Sequence, residues 1–499
     1  MPGQLPIFYS AILLTGVNLL LRLVGTSFQV FLSGRIGPAG IGLLQLVMSV
    51  GSLSMVAGIA GVRTATMYLT AEELGQKRPQ NVTRTLSACF FYSILCSGAA
   101  SILLYTAAPR LAESWIGDWR TVHALRLLAA FLPVTCLCSV MTGYFTAANR
   151  IGTLAAVEVC EQLCSMGLTM LMLKAWAGND PVRACQCVIL GSSLGGCLTL
   201  VCLIWLRLRE HTADAGPFPI RRRLLHAAVP LALADILKSG ISTTENLMVP
   251  KRLDKNPAVS DPLSCFGMVS GMVFPILMFP ACILFGLAEL LIPELARCAA
   301  AGSKVRISYL VRRSLKVAML YGLLFSGLMY LLSESLCQQF YGSSEAGRYL
   351  RLYVPLIPML YCDAITDAMT KGLGQQKACV RYNILTSAMD VAFLYVLLPR
   401  YGMVGYFISF LITHLINFAL SLRRLLKITG EVLPFHIPVL ALSGTLAAVW
   451  GAGHAGTPPL QCAAFLLLFC CLLTLLQVSG KDDMLWFLRL VRTKCRSVG

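Results

Sequence analysis

Charge is what this 499-residue chain has least of. Asp, Glu, Lys and Arg make up 13% of it, about half the share of a soluble domain. A water-soluble protein of this length could not cover its surface with so few charges. Acids are the scarcer sign, 23 against 41 Lys and Arg, and there are only six histidines. No GxxxxGK[ST] loop, HExxH pair or GxSxG elbow occurs, which removes P-loop ATP hydrolysis, zinc-protease and α/β-hydrolase chemistry. No polar loop is large enough to hold a catalytic cluster, so a membrane transferase is disfavoured and no enzyme is expected. The net charge of +18 is spread over short connections between apolar runs, so no nucleic-acid partner is expected either.

What fills the chain is hydrophobic sequence, 57% of it, in runs such as FLLLFCCLLTLL and VCLIWL. A bilayer helix needs about 20 mainly apolar residues, and that length recurs. Helices are expected near 7–31, 41–69, 85–107, 122–147, 153–175, 183–208, 224–250, 263–291, 308–333, 348–372, 381–399, 403–422, 434–452 and 460–478. The first run is too long for a cleaved leader and reads as the first span. The 20 cysteines lie mostly inside these runs, as small apolar packing residues. The fold class is therefore all-α integral membrane, with about fourteen transmembrane helices.

Lys and Arg divide unequally between alternate connections, 25 on the side that includes the C-terminal tail and 12 on the other, with Arg22, Arg63, Lys238 and Lys316 within helices. The richer side is cytoplasmic by the positive-inside rule, which places both termini in the cytoplasm. Three likenesses recur at an offset of about 220 residues: YFTAANRIG with MTKGLGQQK, YLTAEELG with LLIPELAR, and Arg22 with Lys238. Parallel repeats are a transporter architecture, with substrate between the halves. The expected organisation is an N-terminal lobe (1–208), a cytoplasmic linker (209–223), a C-terminal lobe (224–427), two further helices (428–478) and a basic tail (479–499).

An ionisable residue at a helix centre costs about 2.5–3.5 kcal/mol on insertion scales and usually faces a cavity or a partner. Thr15, Asn18, Arg22 and Gln29 share one face of the first helix. Asp235, Lys238, Ser242 and Glu245 do so on the seventh, where Asp235 and Lys238 are also spaced to neutralise each other. Similar polar faces are Glu158, Glu161, Gln162 and Ser165 on the fifth helix, and Asp363, Thr366, Asp367 and Thr370 on the tenth. For isolated Ser or Thr residues, bonding between helices explains as much as a cavity does. His414 reads as a packing residue more readily than as a proton relay.

The blocks FGMVSGMVFPILMFPACILFGLAELLIPELARCAAAG, YLRLYVPLIPMLYCDAITDAMTKGLGQQKACVRYNI and LPRYGMVGYFISFLITHLINFALSLRRLLK, with NLLLRLVG near the start, resemble the polysaccharide-biosynthesis branch of the multidrug/oligosaccharidyl-lipid/polysaccharide exporter superfamily. The resemblance runs from about residue 10 to 430. It implies two six-helix lobes, a central cavity, alternating access, and a polyprenyl-pyrophosphate-linked saccharide moved to the outer leaflet. Related lipid II flippases carry an arginine matched by Arg22 within LRLVG; a basic and an acidic residue that follow are Phe28 and Gln29 here. Some of them hold sodium in the second lobe with acidic and amide residues, which points to Asp235, Asn383 and Asp390.

The expectation is thus a multi-pass cytoplasmic-membrane flippase acting as a monomer on a lipid-linked oligosaccharide or lipid II-like substrate, in contact with membrane lipids. Arg22, Asn18, Arg63, Lys238 and Gln29 are its candidate substrate contacts. No cofactor is expected beyond coupling to a proton or to sodium, the latter held at Asp235 and Asn383 with Asp390. The rival is a cation-coupled multidrug exporter on the same fold, which would favour an acidic cavity.

Overall fold

The computed structural model describes residues 7–75, 80–148, 150–178, 180–209, 220–431 and 436–478. Residues 210–219 of the expected linker and the whole tail 479–499 lie outside the described residues. Those described fold as helices: α1 (Ile7–Ile59), α2 (Val62–Gly75), α3 (Gln80–Arg110), α4 (Val122–Ala147), α5 (Ile151–Met172), α6 (Pro181–Leu208), α7 (Ile220–Leu253), α8 (Pro262–Met268), α9 (Phe274–Met278), α10 (Ala281–Ala300), α11 (Lys304–Tyr341), α12 (Ser344–Tyr353), α13 (Ile357–Gly372), α14 (Gln376–Thr429), α15 (His436–Ala452) and α16 (Pro458–Leu475). Helix is the economical answer for these sequences, because in lipid every backbone N–H and C=O must bond within its own segment.

Two of these helices are each two spans joined without a loop. In α1 the backbone breaks at Gly37 (φ 71°, ψ 175°), a conformation that a residue without Cβ adopts cheaply, and Pro38 opens the next helix. In α14 the break is at Gly402 (φ 57°, ψ −137°). With α2 counted as the continuation of the second span of α1, α8–α10 bent by 62° into one broken span and α12–α13 taken together, the described residues form fourteen helical segments. Nine helices among the described residues are long and apolar enough to cross a bilayer on their own, ten with the bent pair.

Packing gathers Met1–Met272 with Ser387–Ser409 into one unit, and Val273–Thr386 with Phe410–Gly499 into another. In the first, α7 packs against α1 and α2. There α1 and α8 meet backbone to backbone: a Cβ on Gly267 would stand 2.0 Å from Pro38 O, the small-residue contact that substitutes for hydrophobic driving force between membrane helices. In the second, α15 and α16 dock on α11, with Phe465 fully buried over Gly327, where a Cβ would come within 2.2 Å of the ring. The described cysteines are all free, as expected for packing residues.

Candidate functional site

A break that the sequence does not advertise lies between α1 and α2. Ala60 (φ 44°) and Gly61 (φ 72°) both turn left-handed. Tyr92 Oη donates to the Ala60 carbonyl at 3.2 Å, which answers one of the backbone groups the break frees. α7 passes so close that a Cβ on Gly61 would lie 2.5 Å from Ala228 O. Arg63 stands in the first turn of the half-helix that follows, with its side chain exposed. A helix start carries partial positive charge and unpaired N–H groups, so the guanidinium adds to a field already positive.

Arg22 on α1 and Lys238 on α7 are exposed as well. Asp235 is exposed, and it forms no ion pair with Lys238 among the described residues despite their spacing. Arg63 is close enough to Glu158 on α5 to act on its charge. Asn18 falls among residues whose side chains lie outside the described set. Gln29 is already engaged: its Nε2 donates to Gly271 O at 3.1 Å, tying α1 to the π-helical segment between α8 and α9.

Two cavities of the first unit are built from the polar faces. One, of about 420 Å³, is lined by Gln45, Ser49, Ser52, Thr135, Ser242 and Asn246. Thr243 Oγ1 donates to Ser49 O (3.1 Å) and Asn246 Nδ2 to Ser49 Oγ (3.1 Å), which fixes α7 to α1 beside it. Neither Arg22, Arg63 nor Lys238 lines this cavity, although Lys238 lies one turn before Ser242. The other, also about 420 Å³, has Glu158, Glu161, Gln162, Ser165, Thr169 and Ser192 in its wall beside Phe28. The polar face expected on the fifth helix is therefore a cavity wall.

Of the coupling candidates, Asp390 is buried and accepts from Ser409 Oγ at 2.6 Å. Its carboxyl meets that of Glu245, and Tyr406 is buried beside both. Two carboxylates in contact repel each other unless a proton or a cation stands between them. Every donor here is oxygen, the ligand type a hard cation takes, although among the described residues no His, Cys, Asp and Glu side chains gather in threes or more. Asp235 has no part in this contact, and Asn383 belongs to the second unit. Glu245 is the residue that sequence reasoning left out of the site. It was visible ten residues after Asp235 on the same polar face.

In the second unit the polar groups of α13 and of the turn after it are paired, within the helix or with α14. Asn417 Nδ2 donates to both oxygens of Asp363 (3.1 and 3.3 Å), Lys371 pairs with Asp367 (2.6 Å), and Arg424 holds Gln375 Oε1 (2.6 and 3.2 Å). His414 donates through Nδ1 to Phe410 O (3.0 Å) and stacks on that ring at 3.8 Å, a packing role.

Fourteen helical segments with discontinuous spans and polar cavities define a multi-pass membrane protein with a transporter architecture. The chain belongs to the MatE family, whose pattern matches residues 14–171 and 230–396. It is similar to "Stage V sporulation protein B" of Bacillus subtilis (strain 168), 20% identical over 406 residues that cover 79% of this chain and 78% of the relative. A solved structure described as "Lipid II flippase MurJ, inward closed conformation" superposes with a TM-score of 0.69 at 13% identity, over 93% of this chain and 98% of that one. An inward-facing multidrug-resistance MATE family transporter of the MOP superfamily gives 0.67 at 15% identity, over 85% of this chain and all of the other.

Proposed function

We propose that this protein is a flippase that carries a polyprenyl-pyrophosphate-linked saccharide across the cytoplasmic membrane by alternating access, in the synthesis of a cell-wall or spore-wall polysaccharide. The observation that carries the reading is the set of exposed cations on otherwise apolar helices: Arg22 on α1, Arg63 at the start of α2 and Lys238 on α7. A pyrophosphate that leaves water must find its hydration replaced by fixed charges and donors. A guanidinium at a half-helix N-terminus supplies both in one place. The name of the lipid II flippase supports this cargo class, and that of the sporulation protein supports a role in spore formation. Both termini face the cytoplasm in this reading, and one chain suffices.

The test is complementation of a flippase-deficient strain, with membrane abundance checked by immunoblot. Losing a charged hydrogen bond costs about 1.5–3 kcal/mol, roughly 10- to 100-fold in affinity. Arg22→Ala and Lys238→Ala should each lose about that much, Arg22→Glu more, because repulsion is added to lost attraction. Arg22→Lys should keep part of the function, since it keeps the charge and loses the planar fork. Normal transport by both alanine variants at normal abundance would sink the anionic-cargo reading.

The Glu158/Glu161 cavity favours the second reading, a cation-coupled exporter of amphipathic drugs, and that outcome would promote it. For coupling, we infer that a proton or sodium ion bridges Glu245 and Asp390, with Ser409 completing the oxygen set. Asp390→Asn should abolish the dependence of transport on the ion gradient while leaving the protein inserted. Undiminished gradient dependence places the coupling site elsewhere.

A further inference from the structure

Where the α3–α4 and α5–α6 connections come together, a hollow of about 400 Å³ is lined by Trp119, Arg120, His123, Arg126, Arg183 and Gln186, with Asp180 on its wall. By the charge count this end of the first unit faces the cell exterior, where only 12 of the 41 Lys and Arg residues lie. Three of those twelve converge on one hollow. The positive-inside rule does not call for them here, since it concentrates cations on the opposite side.

The three arginines are held differently. Arg120 grips Asp118 through Nε (3.2 Å) and Nη2 (3.0 Å). Arg183 stands 3.7 Å from Asp180, which also caps α6 through the Val182 N–H (2.9 Å). Arg126 has no carboxylate partner among the described residues. Its guanidinium lies over the Tyr105 ring, 5.0 Å from the centroid, and its Nε is buried with no hydrogen-bond acceptor among the described residues. A ring face balances charge and leaves the N–H donors unspent. The hollow therefore has one more arginine than the two carboxylates that neutralise its neighbours, and the forks of Arg120 and Arg183 remain largely exposed (67% and 62%).

Its depth is marked by aromatic residues. Trp115, Trp119 and Trp176, all at this end of the unit, are 43%, 60% and 59% exposed. Exposed tryptophans at the ends of apolar spans sit at the headgroup level of a bilayer. We propose that this hollow is a binding site for a lipid-borne phosphate at the outer membrane interface, with Arg126 as the fixed charge and Arg120 and Arg183 as flanking donors. The phosphate belongs either to a resident anionic phospholipid or to polyprenyl-linked cargo after it has crossed. Both present the same tetrahedral anion to the same donors.

The full-length protein in phosphatidylcholine nanodiscs, titrated with short-chain phosphatidylglycerol and read by native mass spectrometry, tests this. Binding is read independently of transport, so a failed flippase assignment leaves the result intact. Arg126→Gln should lose one bound phosphatidylglycerol, with about a tenfold fall in affinity at that site; Arg126→Lys should restore part of it. Arg183→Gln, at an exposed position where folding is not at stake, should weaken the same site by a smaller factor. Displacement by a polyprenyl pyrophosphate at lower concentration than by phosphatidylglycerol assigns the site to cargo, and the reverse order assigns it to resident lipid. The proposal is overturned if Arg126→Gln and Arg183→Gln both bind phosphatidylglycerol as tightly as the parent. It is overturned equally if inorganic phosphate alone displaces the lipid at the same concentration.

Discussion

Polar faces in the two packing units meet different ends. In the first, Arg63, Asp235 and Lys238 stand exposed on apolar helices, and Glu158 and Glu161 line a cavity. In the second, α13 presents an equally polar face, yet its polar groups find partners within the protein. Asp363 is held by Asn417 and Asp367 by Lys371. Thr366 and Thr370 turn back to carbonyls of their own helix at 2.8 and 2.7 Å, as hydroxyls in membrane helices commonly do. A polar face on a membrane helix thus identifies a helix that needs a partner. The partner decides whether that need becomes a cavity or a structural ladder.

Two glycines, one from each unit, differ in what an added side chain would meet, and this gives the largest expected effect. At Gly267 an added side chain meets the Pro38 backbone, which cannot step aside, whereas at Gly327 it meets the end of a phenyl ring. Overpacking costs about 1–3 kcal/mol, and more where nothing yields. Gly267→Val should therefore lower thermal stability in detergent well beyond Gly327→Val. Equal melting temperatures for the two variants would show that the α1–α8 crossing is looser than drawn.

A middle-sized effect is expected at the ladder. Asn417→Ala removes the amide that bonds both Asp363 oxygens, and stranding a half-buried carboxyl costs about 1 kcal/mol, the low end of the range for buried groups. Stability should fall while substrate preference stays the same. A change in substrate preference at unchanged stability would move α13 from scaffold to binding site.

The smallest effect concerns the end of α14. Hydrogen bonds from Ser308 and Arg312 hold the Glu431 carboxyl below its usual value. A carboxyl depressed in the folded state stabilises above its unfolded value, about 4.3 for glutamate, and loses that contribution as pH falls through the lower folded value. The melting temperature of the parent should therefore drop slightly more on acidification through that range than that of Glu431→Gln. Parallel pH profiles would show that the clasp adds no stability.

Much of this was legible from residue order. Spans, cationic positions and the polar face of the fifth helix follow from runs and spacings that any α-helix of that sequence presents. The joins at Gly37 and Gly402 were expected as connections over 32–40 and 400–402, and they are single-residue breaks in helices of 53 and 54 residues. The break at Ala60–Gly61 was not legible at all, because GIAGVR reads as ordinary helix. Gln29, matched to a substrate-binding stretch, is spent on Gly271 O. Asp390 meets Glu245 and not Asp235, residues that lie ten positions, about 15 Å, apart along one helix.

Hydrophobic length, charge asymmetry and helical periodicity are local properties, so the sequence by itself determined that this chain crosses a membrane about fourteen times and which helices carry polar faces. Which polar groups meet depends on the rotation and crossing of helices distant in sequence. Those are set by backbone contacts such as Gly267 on Pro38 and by kinks whose residues look unremarkable in a string. Tertiary structure alone decided that Asp363 is scaffold, that Glu245 is Asp390's partner, and that three arginines in or beside two separate connections share one hollow.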